Sequence, residues 1–298
     1  MVTRLHPPTV DDVILIDDVV DQRQQGRNSA YFERIRTPWK MRIRNYIRAC
    51  GNPEVLVPWA DAVKFKTRFL TLYNSPKLNS VQKPVLEKLR ERTLQMCPAC
   101  GEDGTPNTLD HYLPKNSFPD FSITAVNLSP MCDKCQGKKL EKVLSNDGER
   151  LFLHPYFDEF LDQQVINLRI GEPYSAPESM ELYPSEALSQ ELQELVFRHI
   201  TSLGINIRYY HFFREQYTHL LGSAADIRDA GLEMRQQLVL FRNKARRKSV
   251  NSWGHIFYES VLANEELILH LETAELPELE AWAQAYKEEA FAERRGAV

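Results

Sequence analysis

The chain of 298 residues carries 43% apolar and 26% charged side chains, a balance that supports one large or two modest packed domains and excludes a disordered chain. No stretch is apolar for long enough to span a bilayer, and the start lacks the basic-then-apolar order of a secretory leader, so a cytoplasmic protein without a membrane partner is expected. The formal charge of −4 conceals an uneven spread: residues 21–100 hold 16 Lys or Arg against 6 Asp or Glu, whereas residues 151–298 hold 14 against 23. The first stretch offers a polyanion such as DNA or RNA a favourable potential.

Helical patterns come first. Thr37 followed by Pro38 reads as an N-cap and first helical residue, after which Trp39, Ile43, Tyr46 and Ile47 recur at helix spacing as a core stripe. Lys40, Arg44 and Arg48 fall four apart on one face, a ridge suited to phosphates. From Pro58 a second pattern places Trp59, Val63, Phe69, Leu70 and Tyr73 inward, and a third runs from Ser80 to Thr93 with Pro84 near its start. Between Cys97 and Leu144 the composition turns to Gly, Pro, Asn, Asp and Cys, too little apolar surface for a core unless a metal fixes it. Residues 151–170 read as a pair of short strands, as in Val165–Ile170, a Pro- and Ser-rich loop follows over 171–185, and helices return over 192–203, 209–221 and 253–271. A short acidic helix is expected over 276–291 as a packing or partner surface.

Cys97-Pro-Ala-Cys100 and Cys132-Asp-Lys-Cys135 form two pairs separated by 31 residues. Four thiolates so arranged satisfy tetrahedral zinc with no open position, which makes the expected ion structural. Cys50 lies outside the pattern and reads as a buried thiol.

Between the pairs lie Leu109-Asp110-His111-Tyr112-Leu113-Pro114-Lys115 and Asn127-Leu128, and after them Gln136-Gly137-Lys138-Lys139. The order Cys-x-x-Cys, Asp-His, Pro, Asn-Leu, Cys-x-x-Cys, Gly-Lys, over about a sixth of the chain, resembles the HNH or ββα-metal endonuclease family. On a strand Asp110 and His111 point to opposite faces, so their roles should differ. The resemblance implies His111 as general base, Asp110 as a ligand of a catalytic divalent ion such as Mg2+ or Mn2+, and Asn127 as the residue that holds the His111 ring by a hydrogen bond. The position after the last Cys supplies the second protein ligand in that family, usually Asn or His; here it is the longer Gln136, and His154 is a candidate to assist it. Lys115, Lys138 and Lys139 are candidate phosphate contacts, and the helix from about Asp133 would aim its first amides at a bound anion.

The reading as a whole is a mainly α protein, α+β overall: a basic helical region (1–93), a zinc-braced ββα nuclease module (94–145) and a helical region (146–298) with a short strand pair at its start. The family implies hydrolysis of nucleic-acid phosphodiesters to 5′-phosphate and 3′-hydroxyl ends. Leu-Asp-His-Tyr-Leu-Pro-Lys and the downstream Leu-His-Pro-Tyr-Phe-Asp also resemble HNH subunits of Septu-type bacterial anti-phage systems, some associated with retrons. That narrower resemblance implies an ABC-type ATPase partner and, for the retron-associated systems, a reverse transcriptase with its nucleic acid. The chain itself has no Gly-x-x-x-x-Gly-Lys-Ser/Thr motif. The alternative is a degenerate, zinc-stabilised nucleic-acid-binding or partner-binding protein.

Overall fold

Helix formation begins at Asp11, whose carboxylate accepts hydrogen bonds from the amides of Val13 and Ile14 and so caps α1 (Asp12–Gln22). In the computed structural model, which describes residues 3–276, α1 buries Leu15, Ile16, Val19 and Val20 and packs against α2 (Ser29–Arg48). Pro38 does not start α2 as the sequence suggests; it lies inside it. An interior proline costs roughly 3 kcal/mol. The buried stripe of Tyr31, Phe32 and Ile35 continues in register into Trp39, Ile43 and Tyr46, and at about 1.5–3 kcal/mol per buried large side chain it outweighs that cost. Ile47, expected on the stripe, is instead exposed.

The second predicted helix breaks at Phe65 into α3 (Ala60–Lys64) and α4 (Lys66–Asn74). Val63 faces solvent, while Phe69, Leu72 and Tyr73 are buried. The Phe69 ring meets Phe32 and Trp39 edge-on at 5.8 and 5.1 Å. Helix α5 (Gln82–Arg90) carries Pro84 in its first turn, where a backbone N–H has no intrahelical partner to lose. Strands β1 (Thr108–His111) and β2 (Leu128–Met131) pair antiparallel with Asp110 opposite Ser129 and His111 opposite Leu128. Helix α6 (Asp133–Lys139) follows β2 after one residue, and α7 (Gln190–Ser202) belongs to the same unit.

Contacts divide the described chain into two compact units, residues 3–165 with 186–204 and residues 166–185 with 205–276. The expected boundaries near residues 93 and 145 therefore do not separate domains. The β1–β2 hairpin is too small to bury a core by itself, and α5 packs on both of its strands while α2 and α4 pack on the turn Pro119–Phe121 between them.

In the second unit β3 (Ile166–Ile170) pairs antiparallel with β4 (Met180–Pro184), so the expected strand finds its partner inside the segment read as loop. Helices α8 (Ile205–Asp229), α9 (Met234–Arg246), α10 (Trp253–Ala263) and α11 (Glu265–Thr273) follow. The expected 253–271 stripe is interrupted at Asn264, whose side chain caps α11 by accepting from the Leu267 amide. From residue 277 the expected acidic helix lies outside the described residues. The described residues are thus mainly helical with two small sheets, and no helix among them is long and apolar enough to cross a membrane.

Candidate functional site

The four paired cysteines converge. The Sγ atoms of Cys97, Cys100, Cys132 and Cys135 all lie within 4.8 Å of one another, close to the S···S separation of about 3.8 Å that tetrahedral Zn–S bonds of about 2.3 Å require. The Cys132 amide also points at Cys97 Sγ, 3.3 Å away. This set could hold a structural metal such as zinc. The first amide of α6 is spent here: Asp133 N donates to Asn107 Oδ1 at 3.0 Å, so it does not face an anion site beside Asp110 as expected. Cys50, expected to be buried, is exposed after the end of α2.

Asp110 and His111 face opposite sides of β1, as strand geometry dictates. On one side, Asp110 meets α6: Gln136 Nε2 lies 3.4 Å from Oδ1 and Lys139 Nζ 2.9 Å from Oδ2. Lys139 is 1% exposed, and its ammonium also donates to the His111 carbonyl at 2.6 Å. The expected phosphate contact by Lys139 is therefore wrong; its charge is spent on a buried carboxylate. Oδ2 has this cation beside it but no well-directed hydrogen bond. The adjoining cavity, lined by Asp110, Ser129, Lys139 and His199 among others, measures about 20 Å³, room for a water and not for a phosphate.

On the other side, the His111 ring packs against Tyr73 with centroids 4.4 Å apart, and Nε2 lies 2.9 Å from the Ser122 carbonyl. A carbonyl only accepts, so Nε2 carries the proton and Nδ1 keeps its lone pair. Nδ1 has no hydrogen-bond partner among the described residues, and the residue as a whole is 6% exposed. Burial, with the charges of Lys115, Lys139 and Arg90 added and the Ser122 bond opposing, pushes the ring's pKa down to about 3.

Two of these cations stand at the Tyr73 ring itself: Lys115 Nζ at 4.5 Å and the Arg90 guanidinium at 5.3 Å from its centroid. Lys115 is half-buried and anchored on Asn74 at 3.0 Å; Arg90 is exposed. Tyr73 and Arg90 come from α4 and α5, and no local motif in the sequence marks either.

Asn127 does not hold the imidazole. Its Oδ1 accepts from Leu113 N at 2.8 Å and from Tyr46 Oη at 3.0 Å, while Nδ2 donates to the carbonyls of Leu113 and Phe121. With all its bonds used, this buried amide clamps the loop after His111, and Ser122 takes the role assigned to it. His154 is not a metal ligand: it is fully buried, its Nδ1 accepts from Tyr156 N and its Nε2 lies 3.1 Å from Tyr46 Oη. Gly51, with φ +70, leaves room for that pair, because a Cβ there would sit 2.9 Å from both His154 and Tyr46. Lys138 is exposed beside Gly204. Of the α2 ridge, Lys40 is committed to Asp17, whereas Arg44 and Arg48 are exposed.

No family model matches the chain, and no solved structure matches it. Protein ea31 of Escherichia phage lambda is 35% identical to it over 83 residues, 26% of this chain and 28% of that protein. The chain therefore spans less than a third of that relative's length.

Proposed function

We propose that the first unit is an HNH-type endonuclease that hydrolyses phosphodiester bonds of nucleic acid with His111 as general base. One observation carries this reading: the Ser122 carbonyl fixes His111 as the tautomer whose Nδ1 is bare, beside the cations of Lys115 and Arg90. A neutral imidazole so held can take a proton from water, and the neighbouring cations attract a phosphate to its side of the strand. The strand, loop, strand and helix order around Asp110, His111 and Asn127 and the four-cysteine brace support the same reading.

Asp110 Oδ1 is an oxygen donor of the kind that suits Mg2+ or Mn2+, but Gln136 turns its Nε2 towards it and Lys139 already holds Oδ2, so these residues as placed do not fit a catalytic divalent cation. Lys115, Arg90, Arg44 and Arg48 are the residues placed to steer the polymer. An ABC-type ATPase partner and a role in anti-phage defence belong to this proposal through the sequence resemblance.

The Lys139–Asp110 ion pair favours a second reading, a zinc-braced nucleic-acid-binding module in which a resident ammonium stands where a catalytic cation would. The test is incubation of the full chain with plasmid, oligonucleotides and total RNA under Mg2+ or Mn2+, beside His111→Ala. Loss of a general base lowers the rate by about 10² to 10⁴-fold. Cleavage by His111→Ala at the parent rate refutes the base assignment; binding without cleavage by the parent protein selects the second reading.

A further inference from the structure

The second unit carries a cationic surface that its acidic composition conceals. Five of the seven residues 242–248 are Lys or Arg and none is acidic. Arg242 and, one helical face earlier, Arg235 are neutralised by Glu259 at 2.9 Å and Glu265 at 2.5 Å. Lys244, Arg246 and Arg247 are exposed and have no ion-pair partner among the described residues.

The helix explains where these charges point. Met234 and Leu238 turn α9 towards the core, which leaves Gln236, Leu240, Asn243, Lys244 and Arg247 along the outward face, with no carboxylate among them. Side chains three and four apart on such a face stand about 5–6 Å from one another at Cβ, so Lys244 and Arg247 form a pair of closely set cations. The end of α9 is pressed against the start of α10: a Cβ on Gly254 would meet the Ala245 Cβ at 3.3 Å. The Arg208 guanidinium lies 6.0 Å from the ring of Trp253, the first residue of α10. Cations in a last helical turn answer the negative end of the helix dipole. The dipole does not account for Arg247, which caps the helix, or for an acid-free outward face on a unit otherwise rich in Glu.

We infer that the outward face of α9 at its C-terminal end, with Lys244 and Arg247 on it and Arg246 flanking them, is a binding surface for the phosphate backbone of nucleic acid. Closely spaced, unneutralised cations with Gln and Asn between them suit a regular polyanion and favour no base sequence. The inference rests on the nucleic-acid half of the reading above and not on its chemistry.

The experiment uses the full-length His111→Ala chain, so that probes are not consumed, and measures anisotropy of a fluorescein-labelled 20-base-pair DNA duplex and a 20-nucleotide RNA between 50 and 300 mM KCl. Replacing Lys244, Arg246 and Arg247 together by Gln should weaken binding roughly tenfold or more and reduce the slope of log K against log salt by about 2 to 3 on duplex DNA, near 0.9 per lost phosphate contact. Arg246→Lys with Arg247→Lys should keep the slope, and Arg169→Ala, which removes a cation already paired with Glu181, should leave it unchanged. Circular dichroism confirms that the triple variant is folded. An unchanged slope in the folded triple variant overturns the proposal, as does a parent chain that binds neither probe or that binds poly-glutamate in their place. Binding through these residues by a chain that shows no cleavage in any His111 form would sink the nuclease reading and leave this surface standing.

Discussion

Lowering the pH from 7 to 5 should destabilise the first unit, and the buried histidines set the size of the effect. Burial pushes His111 to about 3 and His199 to about 4 from an ordinary 6.5, and holds His154 well below that value. In His154 and His199 the bare Nδ1 accepts a backbone amide, Tyr156 N and Leu153 N, so protonation there breaks a buried bond as well as creating a buried charge. The unfolded chain takes up protons below 6.5 and the folded one does not, so stability falls as pH drops through that value. At pH 5 each of His111 and His199 contributes a loss of about 2 kcal/mol, 1.36 kcal/mol for each of 1.5 pH units. Asp12 works the other way: burial raises its carboxyl from 3.8 to about 6, although it accepts from the amides of Ala125 and Val126. It binds its proton first in the folded state and returns about 1.3 kcal/mol over the same interval. The net loss is about 3 kcal/mol before His154 is added, a large share of a typical total of 5–15 kcal/mol. Urea unfolding followed by circular dichroism should show a midpoint about 1 to 2 M lower at pH 5 than at pH 7, and Asp12→Asn should steepen the fall. Equal midpoints at the two pH values would refute the argument.

Three further outcomes follow from the site. Lys139→Met leaves Asp110 charged and enclosed and should cost about 3–5 kcal/mol in urea unfolding; the double variant with Asp110→Asn should cost at least about 2 kcal/mol less than the two single losses together, and strict additivity would mean that the pair is not coupled. Elemental analysis should find one zinc per chain, lost with unfolding of the hairpin in Cys132→Ala and retained in Cys50→Ser; equal zinc in Cys132→Ala would dissolve the proposed cluster. Asn127→Ala strands four buried bonds and should remove about 3 kcal/mol, a fall in Tm of about 6–12 °C, with zinc content unchanged; a neutral result would contradict the clamp.

The elements that the sequence made legible are those set by local spacing. Two Cys-x-x-Cys pairs report a shared ion because the chemistry demands four sulfurs, and the α2 stripe reports a helix because Trp39, Ile43 and Tyr46 repeat with its period. Pro38 misled because a proline marks helix starts only when the upstream residues offer nothing to bury, and Tyr31, Phe32 and Ile35 offer a great deal. The partners of the site were illegible for a different reason. Tyr73 and Arg90 reach His111 only because α4 and α5 fold onto the hairpin, and Ser122 displaces Asn127 at the imidazole through loop geometry that spacing does not encode. Lys139 read as one more exposed lysine in Gly-Lys-Lys; only the rotation of α6 against β1 shows that one of the two turns inward while Lys138 turns out.

The alternation of a single strand then divides the labour between two neighbours. Asp110 faces an enclosed, water-sized space whose charge Lys139 already balances, whereas His111 faces aromatic and cationic side chains with one nitrogen fixed and the other bare. A phosphate has no room on the Asp110 side, so under the proposed function a polymer would meet this module first through Arg90 and Lys115 at the Tyr73 ring. In the proposed reaction a phosphate arriving there would offset the cations' share of the depressed imidazole pKa, the smaller share beside that of burial. Under this arrangement the two cations act before the acid does, and neutralising Arg90 and Lys115 should weaken capture of the substrate while a change at Asp110 should not. Measured as KM against kcat, Arg90→Gln should raise the first and spare the second. An equal fall in kcat would place Arg90 at the reacting phosphate and not at the approach to it.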